Sequence, residues 1–105
     1  MQHGSFSIRY LAVAQEDLAE IVQYINCSNP NNAELFIDTI EKSIDRLSIE
    51  PNIGRIPNED DIAGLGYRYL VIENYLVFYV VEDRVVIIHR VIHGARKYCD
   101  IITKQ

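Results

Sequence analysis

Three consecutive apolar stretches near the carboxyl end decide the fold: Tyr67-Arg-Tyr-Leu-Val-Ile72, Tyr75-Leu-Val-Phe-Tyr-Val-Val81 and Val85-Val-Ile-Ile-His-Arg-Val-Ile-His93. Each is rich in β-branched and aromatic residues and has the length of a strand. The connections Glu73-Asn74 and Glu82-Asp83-Arg84 are short enough to join antiparallel neighbours. The pattern therefore predicts a three-stranded antiparallel meander.

The meander runs directly into a cluster of reactive side chains. His93 ends the last stretch, and Arg96, Lys97 and Tyr98 follow Gly94. Two cations and a phenol after a conformationally permissive glycine suit the binding of an anionic group. A solvated helix start explains the same residues without any function, so both interpretations stay open.

Two helical patterns lie upstream. The first has apolar residues at i, i+3, i+4 and i+7, namely Leu18, Ile21, Val22 and Ile25. We expect this helix to end within the polar run 26–29. A second helix should begin at Pro30, with Asn29 as its cap, and end before Pro51.

The complete order gives the fold class. A short strand over residues 6–11 precedes the helices, a loop over residues 51–66 follows them, and residues 95–102 form a possible short final helix. The order β-α-α-β-β-β predicts an α+β fold, with an amino-terminal helical hairpin packed on a small antiparallel sheet. The length, 105 residues, is that of a single domain.

Charge and motifs restrict the function. The formal net charge is −5; residues 1–61 carry eleven acidic and four basic side chains, and residues 62–105 carry four acidic and six basic ones. Long-range attraction to nucleic acid should be weak.

Cys27 and Cys99 match no metal spacing, and no cofactor motif is present, so we expect neither a metal nor a cofactor. With no signal peptide or membrane span in the sequence, we expect a cytoplasmic protein.

The histidines and arginines of the meander have structural and functional interpretations. His89 and His93 are four residues apart in a strand, so they should share a face about 13 Å apart, too far for one metal ion. For His89 the structural interpretation, a hydrogen-bonded side chain, is simpler than a functional one. Arg90 should point the other way and form an ion pair beneath the helices or with a terminal carboxylate. Arg68, between two tyrosines, suits a phosphate contact or a cross-strand cation–π pair.

The arrangement resembles the RelE/ParE superfamily of toxins from bacterial type II toxin–antitoxin pairs. The likeness covers nearly the whole chain: the opening strand Phe6-Ser-Ile-Arg-Tyr10, the helix from Ala14 to Ile21, the Pro51-x-x-Gly54-Arg55 loop, the meander, and Arg90-Val-Ile-His-Gly-Ala-Arg96. The last of these is the most specific. The resemblance implies a single toxin domain over residues 1–105 that a cognate antitoxin neutralises, with a homodimer or a toxin–antitoxin heterotetramer both open.

The resemblance leaves the target open between two modes. ParE-type members poison DNA gyrase, and RelE-type members cut messenger RNA on the ribosome without a metal. For a nuclease, Arg68 and Arg96 would be the cations, and His93 or Tyr98 would handle protons; for gyrase binding, the same four residues and Lys97 would contact the target. The acidic charge and the single arginine of the 51–55 loop favour the gyrase mode. A non-toxic protein-binding module is the third alternative.

Overall fold

The computed structural model describes residues 5–57 and 64–94. Its elements are β1 (Ser7–Tyr10), α1 (Ala12–Ser28), α2 (Pro30–Asp45), a 3-10 turn (Arg46–Ser48), β2 (Arg68–Ile72), β3 (Tyr75–Glu82) and β4 (Val85–His93). This order confirms the predicted α+β class. The possible helix over residues 95–102 lies outside the described residues.

The strands form one sheet in the order β1-β4-β3-β2. β2, β3 and β4 make the predicted antiparallel meander. β1 departs from the antiparallel pattern: it runs parallel to β4, with Ser7 opposite Val85 and Tyr10 opposite Ile88. Two helices and the meander separate β1 from β4 in the chain, so no tight turn forces these two strands to run in opposite directions.

A local hydrogen bond marks the start of each helix. α1 begins at Ala12, and Gln15 N–H donates to the Leu11 carbonyl at 3.1 Å. α2 begins at Pro30, as predicted, and the Asn29 side chain accepts the Asn31 N–H at 3.2 Å. Neither described helix is long and apolar enough to cross a membrane.

The helices cover one face of the sheet, which we call the helix face. Its core joins residues of the hairpin and of the sheet, among them Phe36, Ile40, Ile44, Leu47, Val77, Tyr79, Val86 and Ile88. The opposite face, called the outer face, carries a smaller cluster of Phe78 and Ile92 with Tyr67, Tyr69 and Leu76. Alternation along β3 thus sends successive side chains into two separate clusters.

A β-bulge interrupts β4 at His89. Tyr79 of β3 pairs with Ile88, whereas the preceding β3 residue, Phe78, pairs with Arg90. His89 is therefore an extra residue without a counterpart on β3. Such an insertion bends the strand and shifts the alternation of all later side chains.

The bulge overturns one expectation about the histidines. His89 packs against Tyr67 on the outer face, whereas His93 packs against Tyr75, whose ring meets Phe36 of α2 on the helix face. The prediction that the two histidines share a face was wrong, because the extra residue at His89 moves the later side chains of β4 to the other face of the sheet. They still provide no common metal site.

Candidate functional site

Asp17 of α1 and Arg90 of β4 form the main polar contact between the helices and the sheet. Arg90 Nε donates to Asp17 Oδ2 at 2.7 Å, and Nη2 donates to Oδ1 at 2.9 Å. The Val91 N–H also donates to Oδ2, at 3.0 Å. The hydrogen bonds to Asp17 raise the pKa of Arg90. The prediction that Arg90 forms an ion pair is confirmed, and its partner is Asp17 of α1.

A cleft of about 500 Å³ lies beside this ion pair, between α1 and the end of β4. His93 lines it, and its ring meets Tyr75 edge to face, with centroids 5.3 Å apart. Asp17, Glu20 and Asn74 contribute polar groups to the same cleft. Arg90 neutralises Asp17, but the Glu20 carboxylate repels anions, so this lining suits hydrogen bonds to a protein partner better than it suits a phosphate.

Arg68 lies at the other end of the sheet, where it holds the loop before the meander. Its Nη1 donates to the Gly54 carbonyl at 3.0 Å and to the Asn52 carbonyl at 3.3 Å. Beside it, the Tyr79 hydroxyl donates to the Pro51 carbonyl at 2.8 Å and accepts the Gly54 N–H at 2.9 Å. Burial raises the pKa of Tyr79, which keeps this phenol protonated and able to donate.

The same loop closes part of the free edge of β2. Arg55 N–H donates to the Tyr69 carbonyl, and Tyr69 N–H donates to the Arg55 carbonyl, both at 2.8 Å. A Cβ atom at Gly54 would overlap the Tyr79 phenol. The Pro51-x-x-Gly54-Arg55 motif therefore has a structural explanation: the proline carbonyl and the glycine anchor the loop to Tyr79, and Arg55 pairs with the strand.

A tyrosine and a histidine form a pair on the outer face. Tyr67 Oη lies 3.3 Å from His89 Nδ1, and the rings meet edge to face with centroids 5.0 Å apart. Burial and the nearby Arg90 charge lower the pKa of His89, and burial raises the pKa of Tyr67. Both groups therefore stay neutral near pH 7 and share one hydrogen bond between the phenol and the imidazole. The interpretation of His89 as a hydrogen-bonded histidine is confirmed.

The structure separates two of the side chains considered for RNA cleavage. Arg68 pairs with Tyr79 and His93 with Tyr75, so they lie four residue pairs apart along the strands, which is about 13 Å. Arg96, Lys97 and Tyr98 lie outside the described residues. Within residues 5–57 and 64–94, no group of three or more His, Cys, Asp or Glu side chains is placed to hold a metal ion.

A family model matches most of the chain. The model for the "ParE toxin of type II toxin-antitoxin system, parDE" aligns with residues 8–98. The chain belongs to the ParE toxin family. The aligned region runs from β1 to the end of β4 and continues through Arg96 and Lys97 to Tyr98. The protein is thus the toxin component of a type II toxin–antitoxin system.

Solved structures share the fold of this ParE toxin family member. A chromosomal ParDE toxin–antitoxin system from P. aeruginosa matches with a TM-score of 0.71 and 19% identity, over 86% of this chain and 97% of that one. The RelBE2 toxin–antitoxin complex from Mycobacterium tuberculosis matches with a TM-score of 0.60 and 23% identity, over 85% and 98%. No curated protein matches the sequence significantly.

Proposed function

We propose that this protein arrests growth by binding DNA gyrase, and that a cognate antitoxin keeps it inactive. The observation that carries the proposal is the match of the ParE toxin model over residues 8–98. The two structural neighbours are described as toxin–antitoxin systems, which supports an antitoxin partner here. Gyrase and the ribosome both act in the cytoplasm, so the proposal places the protein there.

Two of the side chains considered for RNA cleavage lie apart in the described residues, which supports the gyrase proposal. In-line attack by a 2′-hydroxyl needs a base, an acid and cations around one phosphate. One terminal nitrogen of Arg68 already donates to two loop carbonyls, and His93 lies about 13 Å further along the strands. The net charge of −5 also disfavours approach to ribosomal RNA.

The proposed gyrase contact uses the end of β4 and the segment after it. His93 lines the cleft beside α1, and Arg96, Lys97 and Tyr98 follow within five residues in the sequence. We assign these four residues to the gyrase contact. Arg68 lies at the opposite end of the sheet, so we leave it out of the proposed contact.

Induced expression in a bacterial host tests the toxin–antitoxin part of the proposal. The wild-type protein should stop growth, and co-expression of the product of the adjacent gene should restore it. The two proteins should also co-purify as a complex, whose mass would establish a homodimer or a heterotetramer. Harmless expression at confirmed protein levels would contradict the proposal and favour a non-toxic binding module.

A further inference from the structure

The cleft beside the Asp17–Arg90 ion pair has one wall from α1 and one from the sheet. Four residues of α1 line it at the spacing i, i+3, i+4 and i+7, which repeats on one side of a helix: Asp17, Glu20, Ile21 and Tyr24. The opposite wall consists of Asn74, Tyr75, Val91 and His93. With a volume of about 500 Å³, the cleft is large enough to enclose a side chain of another molecule.

Aromatic rings lie on both sides of this cleft. Tyr24 of α1 is 73% exposed. On the sheet side, Tyr75 pairs with His93 across the strands, and their rings meet edge to face. Burial raises the pKa of Tyr75, and the nearby Tyr24 and Glu73 raise it further, so the two tyrosines lie near each other. Aromatic rings on two sides favour a cation between them.

Glu20 supplies the cleft with a carboxylate that has no cation of its own. Its neighbour Asp17 is already bound by Arg90 through two hydrogen bonds, whereas Glu20 forms no ion pair with any residue that the structure describes. The hydrogen bonds to Asp17 raise the pKa of Arg90 most, and the charges of Glu20 and Glu16 raise it further. Three carboxylates near one guanidinium leave the α1 side of the cleft negative.

This combination of groups favours a guanidinium ligand. A carboxylate beside aromatic rings offers an arginine side chain an ion pair and a cation–π contact at the same time. A lysine ammonium is more strongly hydrated and cannot stack on a ring, so it fits less well. Arginine is also enriched at protein–protein interfaces, where it often contributes a large share of the affinity.

We propose that this cleft is an arginine-binding subsite of the gyrase contact. It adjoins the surface assigned to that contact, because His93 belongs to both. An arginine of the gyrase surface enters between Tyr24 and the Tyr75–His93 pair, and its guanidinium meets the Glu20 carboxylate. The inference rests on the proposed function for the identity of the partner, whereas the preference for a guanidinium rests on the lining of the cleft.

Titrations with capped amino acids test the chemistry of the cleft. N-acetyl-arginine amide should shift the NMR signals of Tyr24, Tyr75 and His93. The capped form of citrulline, a neutral isostere of arginine, should bind about tenfold more weakly, because it forms neither the ion pair nor the cation–π contact. This preference should shrink at high salt. Equal binding of the two probes, or shifts confined to other parts of the protein, would overturn the proposal.

Variants of the protein locate the subsite. Glu20→Gln keeps the size of the side chain but removes its charge, so it should weaken binding of the arginine probe about threefold. Tyr24→Ala removes one ring and should have a similar effect. Glu34→Gln is the matched control, because Glu34 is an exposed carboxylate of α2 that does not line the cleft. Circular dichroism checks that each variant is folded. Unchanged binding in both cleft variants would overturn the proposal.

The arginine of the chain that follows His93 in the sequence provides a further comparison. Arg96→Ala should bind the arginine probe as the wild type does. Tighter binding in this variant would show that Arg96 competes for the cleft, and would overturn the assignment to a partner.

Binding to purified gyrase connects the cleft with the proposed function. Glu20→Arg places a cation where the arginine of the partner should enter, so it should weaken gyrase binding about tenfold or more. The product of the adjacent gene should bind both forms equally. If gyrase binds both forms equally, or if only antitoxin binding is weakened, the subsite is refuted while the toxin–antitoxin function stands. Failure of the proposed function is a separate result, because the wild-type protein itself would then not bind gyrase.

Discussion

Asp17 on α1 binds Arg90 on β4 through two hydrogen bonds, of 2.7 and 2.9 Å, and accepts the Val91 N–H at 3.0 Å with the same carboxylate. These contacts attach the first helix to the strand directly after the bulge at His89. They lie beside the cleft that His93 lines. The ion pair thus fixes the end of β4, from which the proposed target-binding segment continues.

Replacing Asp17 should destabilise the fold strongly. The two side chains of the ion pair are 15% and 13% exposed, so Asp17→Ala leaves a largely buried guanidinium and a backbone N–H without a partner. We expect the free energy of unfolding to fall by about 3 kcal/mol, measured by urea denaturation. Glu16→Ala, at an exposed neighbouring position, should cost much less. Equal losses in both variants would contradict this role.

The Tyr79 hydroxyl should anchor the loop that contains Pro51 and Gly54. Tyr79→Phe removes the group that bonds both the Pro51 carbonyl and the Gly54 N–H. The expected loss in unfolding free energy is about 1–3 kcal/mol, because two polar backbone groups lose their partner. Tyr24→Phe serves as the control, since Tyr24 is 73% exposed. A Tyr79→Phe variant as stable as the control would show that the loop does not depend on this hydroxyl.

His89 should make stability depend on pH. Burial and the Arg90 charge lower the pKa of His89 below its usual 6.5. In the window below pH 6.5 the unfolded chain therefore binds a proton that the folded protein does not, so stability falls as pH falls. Urea denaturation of the wild type should record this loss. His89→Gln should reduce the slope, and an unchanged slope in this variant would refute the assignment.

Arg96 should be required for toxicity. If the segment after β4 contacts the target, Arg96→Ala removes one of its cations and should restore growth of the induced cells. Arg9→Ala is the control, because Arg9 is an exposed cation on β1 that pairs with Ile87, six residues before His93 along β4. Immunoblots check that both variants accumulate. Full toxicity of Arg96→Ala at wild-type levels would exclude this residue from the contact.

Local signals allowed most of the fold to be predicted. The helices begin and end close to the predicted residues, because Pro30 and the cap at Asn29 act through their own backbone and near neighbours. The meander follows from short connections between apolar stretches. The parallel pairing of β1 with β4 could not be predicted in this way, because it joins strands far apart in the chain.

The polar contacts of the site were less predictable. The bulge at His89 depends on the register between β3 and β4, and no glycine or proline marks it in the sequence. Asp17 is one of three acidic residues in the first half of α1, with Glu16 and Glu20, so only the packing of α1 identifies it as the partner of Arg90. In the sequence, Tyr79 likewise resembles an ordinary core tyrosine. Only the fold brings the Pro51 carbonyl within hydrogen-bond distance of its hydroxyl.

The most direct test of the account measures DNA breaks and messenger RNA in the same induced cells. A gyrase poison should produce double-strand breaks with gyrase covalently attached to the DNA ends, while messenger RNA stays intact at early times. The account predicts this result, and predicts that co-expressed antitoxin prevents it. Codon-specific cleavage of messenger RNA on ribosomes, without gyrase-linked breaks, would contradict it.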